Sequence, residues 1–352
     1  MAGLPEQRDC RPALVHPGEV SESPGSVRRS FPGDEGLRIL VTGASGFVGS
    51  ALVAALPARC GADVLAASRS GGRTLTGDAT APELSAEADW RPFLAGCDVV
   101  VHAAARVHVM RETDPDPLAA FRAVNVAGTA RLVEQAASIG VRRFVLLSSI
   151  KAQGEASPPG QPLRADDPLH PQDPYGQSKA EAEASLADVA GAAGMEWVVI
   201  RPPLVYGPGV KGNFRSMMAW LRRGIPLPLA AVDNRRSLVA LPNLVDFIAT
   251  CVAHPDAANQ RFLVSDGDDL STPELLRRLG EALRAPPRLF PLPPVLLQGL
   301  ARTFGQGAAV ARLLGTLQVD IGKARERLGW RPPVAVEAAL ARTAQAWLAK
   351  PS

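Results

Sequence analysis

From Leu37 onward, short apolar runs alternate with longer stretches whose apolar residues recur every three or four positions. The runs Leu37–Val41, Asp63–Ala67, Asp98–Ala105, Val141–Leu147 and Trp197–Ile200 have the length and composition of buried strands. Between them, Ser50–Leu56, Asn125–Glu134 and Ser178–Ala190 carry the helical period, and a third, shorter strand is expected just before Asp78. Strands alternating with helices predict an α/β fold with a doubly wound parallel sheet. Pro and Gly crowd the stretch 201–209, which marks a loop and a change of domain. Beyond it the pattern predicts a helix over Asn213–Arg223, an extended piece at Arg235–Val239 and a helix over Asn243–Val252. Arg261–Val264 reads as a strand returning to the sheet, and Ser271-Thr272-Pro273-Glu274 starts a helix running to Leu283. The apolar stretch 291–317, broken by Pro294, Gly299, Arg302 and Gly305, is expected in core packing or a protomer contact rather than on a membrane surface. The tail Asp320–Leu348 is read as two helices joined at Leu328-Gly329-Trp330-Arg331-Pro332.

Composition narrows the class. The chain has 352 residues, 46% of them hydrophobic, enough for one large domain or two smaller ones. A formal charge of +3 with no Lys/Arg-rich block gives no case for nucleic acid. Four scattered cysteines without a CxxC pair fit a reducing, cytoplasmic setting. The five histidines lack metal-ligand spacing, so no metal is expected. No apolar run is long enough for an integral membrane segment, and the N-terminus lacks an apolar signal core. Residues 1–36, rich in Pro, Gly, Ser, Glu and Arg, read as a disordered leader.

The first strand runs directly into Thr42-Gly43-Ala44-Ser45-Gly46-Phe47-Val48-Gly49 and a helix. A strand, a Gly-rich turn and a helix in that order form the setting of a dinucleotide site. Gly43 serves the tight turn, Gly46 the close approach of a pyrophosphate, and Gly49 the packing of helix on sheet, while the first-turn amides of Phe47 and Val48 face the anion. Ser68 and Arg69 stand at the end of the second strand, where a carboxylate would hold the ribose of NAD. A hydroxyl and a guanidinium attract a 2′-phosphate, so NADP(H) is favoured; if Arg69 only stacks on adenine, NAD(H) is accepted too. The small residues Ala103, Ala104 and Ala105 at a strand's carboxyl end leave room for the cofactor, and Ala79 and Pro202 are further candidate contacts. The chain thus reads as a Rossmann-type domain over 37–203, rejoined by 237–266, with a smaller α/β substrate-binding domain from 204–236 and 267–348. His102, inside an apolar run, reads as a hydrogen-bonded core residue.

Tyr175 and Lys179 are one helical turn apart on one face. An ammonium beside a phenol favours the phenolate and makes a proton-transfer pair. Tyr occurs only twice in the chain, and its cations are mostly Arg, so this pairing is not the chain's habit. Ser148 and Ser149, at the end of a strand, are placed for a ligand or a turn.

Taken in order, the Gly-rich turn, Asn125-Val126-Ala127-Gly128-Thr129, Leu147-Ser148-Ser149, Tyr175-Gly176-Gln177-Ser178-Lys179, Arg201-Pro202-Pro203-Leu204-Val205-Tyr206-Gly207-Pro208-Gly209 and Leu328-Gly329-Trp330 resemble the extended short-chain dehydrogenase/reductase family. The resemblance covers about Leu37 to Leu348 and lies nearest to sugar-nucleotide epimerases, dehydratases and reductases. It implies that Ser149 bonds the reacting sugar oxygen, Tyr175 moves its proton, and Lys179 holds the nicotinamide ribose and lowers the Tyr175 pKa. It further implies that Asn125 anchors backbone and a water, Asp78 meets adenine, and Asn213 and Arg236 hold the substrate's diphosphate. Ile150-Lys151 stand where dehydratases of the family carry an Asp-Glu pair, which argues against dehydration. Lys151 is either a contact to the sugar's substituents or an exposed turn residue. The expected activity is 4-keto reduction of a UDP-linked hexose for surface polysaccharide, with UDP-hexose 4-epimerisation as the alternative. A non-catalytic NADP(H)-binding sensor is the rival from another class. By analogy with the family, a homodimer is expected.

Overall fold

The computed structural model describes residues 36–107, 114–303 and 307–349, so the expected leader lies outside it apart from Gly36. The apolar runs become β1 (Arg38–Thr42), β2 (Asp63–Ala67), β5 (Val99–His102), β6 (Arg143–Leu147) and β7 (Glu196–Arg201), with β3 (Gly72–Thr74) and β4 (Gly77–Ala79) forming a hairpin between β2 and β5. Later in the chain come β8 (Leu204–Tyr206), β9 (Leu238–Ala240) and β10 (Gln260–Leu263). The described residues build one six-stranded parallel sheet in the order β10-β7-β6-β5-β1-β2. The returning strand expected near 261–264 is β10, at the sheet edge beside β7. The third strand expected before Asp78 is not in this sheet. Asp78 lies within the antiparallel β3/β4 hairpin, whose tight turn after Thr74 ends at Gly77 with a φ of +135°.

Side chains alternate between the two faces, and both faces are covered. Ile39, Val41, Val99, Val101 and Val198 pack on one side under α1 (Phe47–Cys60), while Leu40, Val100, Phe144 and Val199 point to the other. That second face is closed by the short α2 (Arg91–Leu94), then, past α3 (Pro117–Phe121), by α4 (Gly128–Ser138) and α5 (Pro174–Ala192). Past the loop after β7, α6 (Gly212–Arg222) begins a third core, and α7 (Leu241–Ala253) returns to the face under α1. That third core is completed by α8 (Thr272–Ala282) and, beyond α9 (Pro294–Thr303), α10 (Gly307–Leu314) and α11 (Gly322–Leu328), by α12 (Val336–Leu348). Trp330, just after α11, packs edge-on to Phe247 of α7 and ties the tail to the sheet. The apolar stretch 291–317 divides: Leu297, Leu313 and Leu314 pack on the third core, whereas Val295 and Leu296 are 78% and 60% exposed. Core packing therefore accounts for only part of it. No helix among the described residues is long and apolar enough to cross a membrane.

Candidate active site

Strand β1 ends at Thr42 and the chain turns at Gly43, whose φ of +68° suits glycine. A Cβ at Gly43 would stand 2.8 Å from the Ala104 backbone, so the turn presses against the end of β5. At Gly49 a Cβ would collide with the Gly43 carbonyl oxygen, so α1 starts tight beneath the turn. Gly46 is the N-cap, with no side chain capping the first-turn amides of Phe47, Val48 and Gly49. This cradle, open to an anion and closed to any side chain, fits a dinucleotide pyrophosphate. Ala103, Ala104 and Ala105, half-buried, leave space at the same sheet edge.

Around the adenosine end, Ser68 is buried and its hydroxyl lies 2.9 Å from that of Ser45 and 2.8 Å from that of Ser70. It is turned inward, contrary to the expectation of a hydroxyl held out to a 2′-phosphate, because its serine neighbours take up its bonding capacity. The Arg69 side chain is 78% exposed and faces Glu83 loosely at 3.7 Å, as two solvated partners do. Asp78 and Ala79, with Gly71, Gly72 and Thr80, line a shallow cavity of about 480 Å³ beside them.

Helix α5, which carries Tyr175 and Lys179, is fixed at its start. Asp173 is its N-cap, accepting from the Gly176 amide at 2.6 Å, and Pro174 opens the first turn. Gly176 lies so close to the Lys151 carbonyl oxygen that a Cβ would collide with it. Lys151 reaches Asp173 at 2.5 Å and Glu155 at 2.6 Å. It is thus a paired residue rather than an exposed turn residue, and it braces the Ser149 loop against the start of α5.

Tyr175 lies edge-on to Phe121, with ring centroids 5.8 Å apart. Burial pushes its phenol up to about 12, against a hydrogen bond from Ser149 that stabilises the phenolate; the Asp173 carboxylate adds to the rise. A lowering by Lys179 is not among the influences on this phenol, unlike the sequence expectation. The Ser149 loop is anchored by the Ile150 amide, which donates to the Pro202 carbonyl at 3.0 Å.

Lys179 is 2% exposed, and burial lowers its pKa to about 8, with Glu183 acting the other way. Residues 175, 179 and 183 follow at one-turn spacing, so the lysine is set between the phenol and a carboxylate on one helix face. Glu183 is held by a fully buried Arg201, at 2.6 Å from Nη2 and 3.0 Å from Nε, and by the Ser148 hydroxyl. Lys179 also bears on His102, whose burial, with that nearby cation, lowers its pKa to about 3. His102 is bonded at Nδ1 to Thr42 and at Nε2 to Thr129, a neutral core residue as expected. Asn125 sits in a π-helical turn, Arg122–Ala127. Its amide clamps the Arg106 backbone at both N–H and C=O and donates to Ser178, which donates to the Tyr175 carbonyl.

On the far side of the cleft, the two adjacent arginines part. Arg235 is exposed and pairs with Glu274 at 3.8 Å. Arg236 is largely buried, with its guanidinium on the Gly315 carbonyl at 2.9 Å; burial lowers its pKa and the Glu155 carboxylate opposes that. Through Glu155, Arg236 and Lys151 belong to one charged cluster. Asn213 is exposed in the first turn of α6, and no contact among the described residues joins it to the others. The chain's second tyrosine, Tyr206, is fully buried, donating to Asp266 at 2.8 Å and stacking on Phe214.

A model of the NAD dependent epimerase/dehydratase family matches residues 39–265, well over half of the chain. The chain belongs to that family. It is an NAD(P)-dependent enzyme of the extended short-chain dehydrogenase/reductase type, as the motifs implied. A UDP-glucose 4-epimerase of Vibrio cholerae is 46% identical over 312 residues, covering 88% of this chain and 95% of that protein. The fold matches UDP-glucose 4-epimerase of Thermotoga maritima with UDP-glucose at a TM-score of 0.69 and 24% identity, over 89% of this chain and 99% of that one. It also matches RMD from Pseudomonas aeruginosa complexed with NADPH, at a TM-score of 0.69 and 21% identity, over 89% and 100%. Sequence reasoning missed Glu183 and Arg201, although Glu183 repeats the four-residue spacing of Tyr175 and Lys179. The bracing of Asp173 by Lys151 left no signal beyond an Asp-Pro helix start.

Proposed function

We propose that the chain is a sugar-nucleotide 4-epimerase acting on a UDP-linked hexose such as UDP-glucose or UDP-GlcNAc. The observation that carries this is the setting of Tyr175 one turn from the buried Lys179 on α5, with the Ser149 loop tied to the start of that helix through Lys151 and Asp173. The 46% identity to a 4-epimerase supports the choice of reaction. When bound, a nicotinamide supplies the acceptor and donor of hydride. Gly43, Ser45, Gly46, Phe47, Val48 and Gly49 would hold its pyrophosphate, Asp78 and Ala79 its adenine, and Ala103–Ala105, Pro202 and Lys179 its nicotinamide riboside. Ser149 orients the C4 oxygen of the sugar. Tyr175 takes the proton of the C4 hydroxyl as that carbon is oxidised and returns it to the same oxygen as the carbon is reduced from its opposite face. Asn213 and Arg236 would hold the diphosphate, the guanidinium doing so bidentately. The cleft between the third core and the sheet is then the substrate site, so residues 204–236 and 267–348 act as the substrate-binding domain. Helices carrying Asn125 and Tyr175 would form the contact of a homodimer.

A second reading, net 4-keto reduction with NADPH in surface-polysaccharide synthesis, is supported by the end of β2, where the sequence has Ser68 and Arg69 and no carboxylate. A phenol near 12 also holds its proton at neutral pH, the state that donates to a ketone oxygen. Ile150-Lys151 after Ser149 leave no carboxylate for dehydration. Two assays separate the readings. Interconversion of UDP-galactose and UDP-glucose without added cofactor is the expected result. NADPH consumption with a UDP-4-keto-6-deoxy-N-acetylhexosamine, without interconversion, would replace the epimerase by the reductase.

A further inference from the structure

The third core ends in a surface unlike the rest of the molecule. At the end of α6, Trp220 and Ile225 are 41% and 38% exposed. The chain from Arg288 to Phe290 lies directly beside them, since the Leu227 amide donates to the Arg288 carbonyl at 2.9 Å and the Phe290 amide to the Leu227 carbonyl at 3.1 Å. Phe290 is 45% exposed, and a few residues on, at the start of α9, Val295 and Leu296 are also exposed. Arg222, Arg223, Arg284 and Arg288 are exposed along this strip, and none of them makes an ion pair among the described residues. Both segments that build the strip lack counter-charge altogether: no Asp or Glu occurs from 197 through 232 or from 282 through 319. Elsewhere the chain mixes the two signs, for its net charge is only +3.

We propose that this strip docks the enzyme on an anionic lipid bilayer. Large apolar side chains projecting past a rim of unpaired arginines are what a peripheral membrane surface needs: the apolar tips enter the acyl boundary and the guanidinium groups meet lipid phosphates. Trp220, two residues before Arg222 and Arg223, has the amphipathic ring that settles at headgroup level. A contact with a second copy of this chain would bring one all-basic face against another and is disfavoured by charge. Docking leaves the mechanism at Tyr175 unchanged and brings the substrate-binding side of the molecule to the membrane. This inference does not depend on which C4 reaction the enzyme performs.

The test is flotation of the full-length protein with vesicles of pure phosphatidylcholine or of phosphatidylcholine mixed with phosphatidylglycerol. The protein is expected to float with the mixed vesicles, roughly tenfold less so at high salt, and to stay down with phosphatidylcholine alone. The double variants Val295→Glu/Leu296→Glu and Arg222→Ser/Arg223→Ser should each weaken flotation by roughly tenfold or more, with unchanged thermal midpoint and turnover. Wild-type protein that does not float, or variants that float as well as wild type, overturn the proposal. So does concentration-dependent self-association that Val295→Glu/Leu296→Glu abolishes, which would assign the strip to a protomer contact.

Discussion

Glu183 shows how a residue outside the recognised motifs sets the chemistry of one inside them. It opposes the burial that lowers Lys179 to about 8, and it neutralises a fully buried Arg201. Glu183→Gln is therefore expected to push the Lys179 pKa further down, so that activity requiring the charged lysine fades at a lower pH than in wild type. The pH profile of kcat reads this directly; an unmoved profile would remove Glu183 from the role. The same change leaves the arginine without its counter-charge and should cost about 3–5 kcal/mol of stability, measured by denaturant unfolding. Lys179 itself has a stability signature. Its pKa is depressed on folding from 10.5, so between about 8 and 10.5 the unfolded chain binds more protons and stability rises with pH. Lys179→Met should shrink that rise. At this scale the sequence was readable where a residue type is rare in the chain, as at Tyr175 and Lys179. It was silent where a common residue gains its meaning from burial. Arg201 looks like any arginine before a Pro-Pro pair until the fold encloses it, and Ser68 looked available until Ser45 and Ser70 closed on it.

Elements were legible to the degree that their periods are undisturbed. The strands of the sheet and the helices between them follow from apolar runs and helical spacing, and even the late strand at 260–263 showed itself. The β3/β4 hairpin escaped, since three-residue strands carry no period to read. The π-helical turn over Arg122–Ala127 escaped as well, since nothing in its local pattern separates it from the helices on either side. Helix α5 and the Ser149 loop act as one unit, joined by Asp173, Lys151 and the bare backbone of Gly176. Gly176→Ala should push the helix away from the Lys151 carbonyl and separate Ser149 from Tyr175. The expected outcome is a fall in kcat of roughly tenfold or more with cofactor affinity little changed, a misplacement effect of the kind that costs rate before binding. Equal losses in cofactor binding and kcat would point instead to a general loosening of the fold.

The whole molecule joins a cofactor half, whose glycine turn and sheet edge were written plainly in the sequence, to a third core whose role was not. The substrate contacts proposed for it came from family resemblance, and the structure sorts them unequally: Arg236 lies near Glu155, which pairs with Lys151 of the Ser149 loop, while Asn213 is exposed at the start of α6. The account rests on Tyr175 as the group that moves the C4 proton. The direct measurement is the rate of UDP-galactose to UDP-glucose interconversion by Tyr175→Phe beside wild type, with nucleotide-sugar binding followed in parallel. A drop of roughly 10²–10⁴-fold with binding retained is predicted; interconversion at a near wild-type rate would contradict the account.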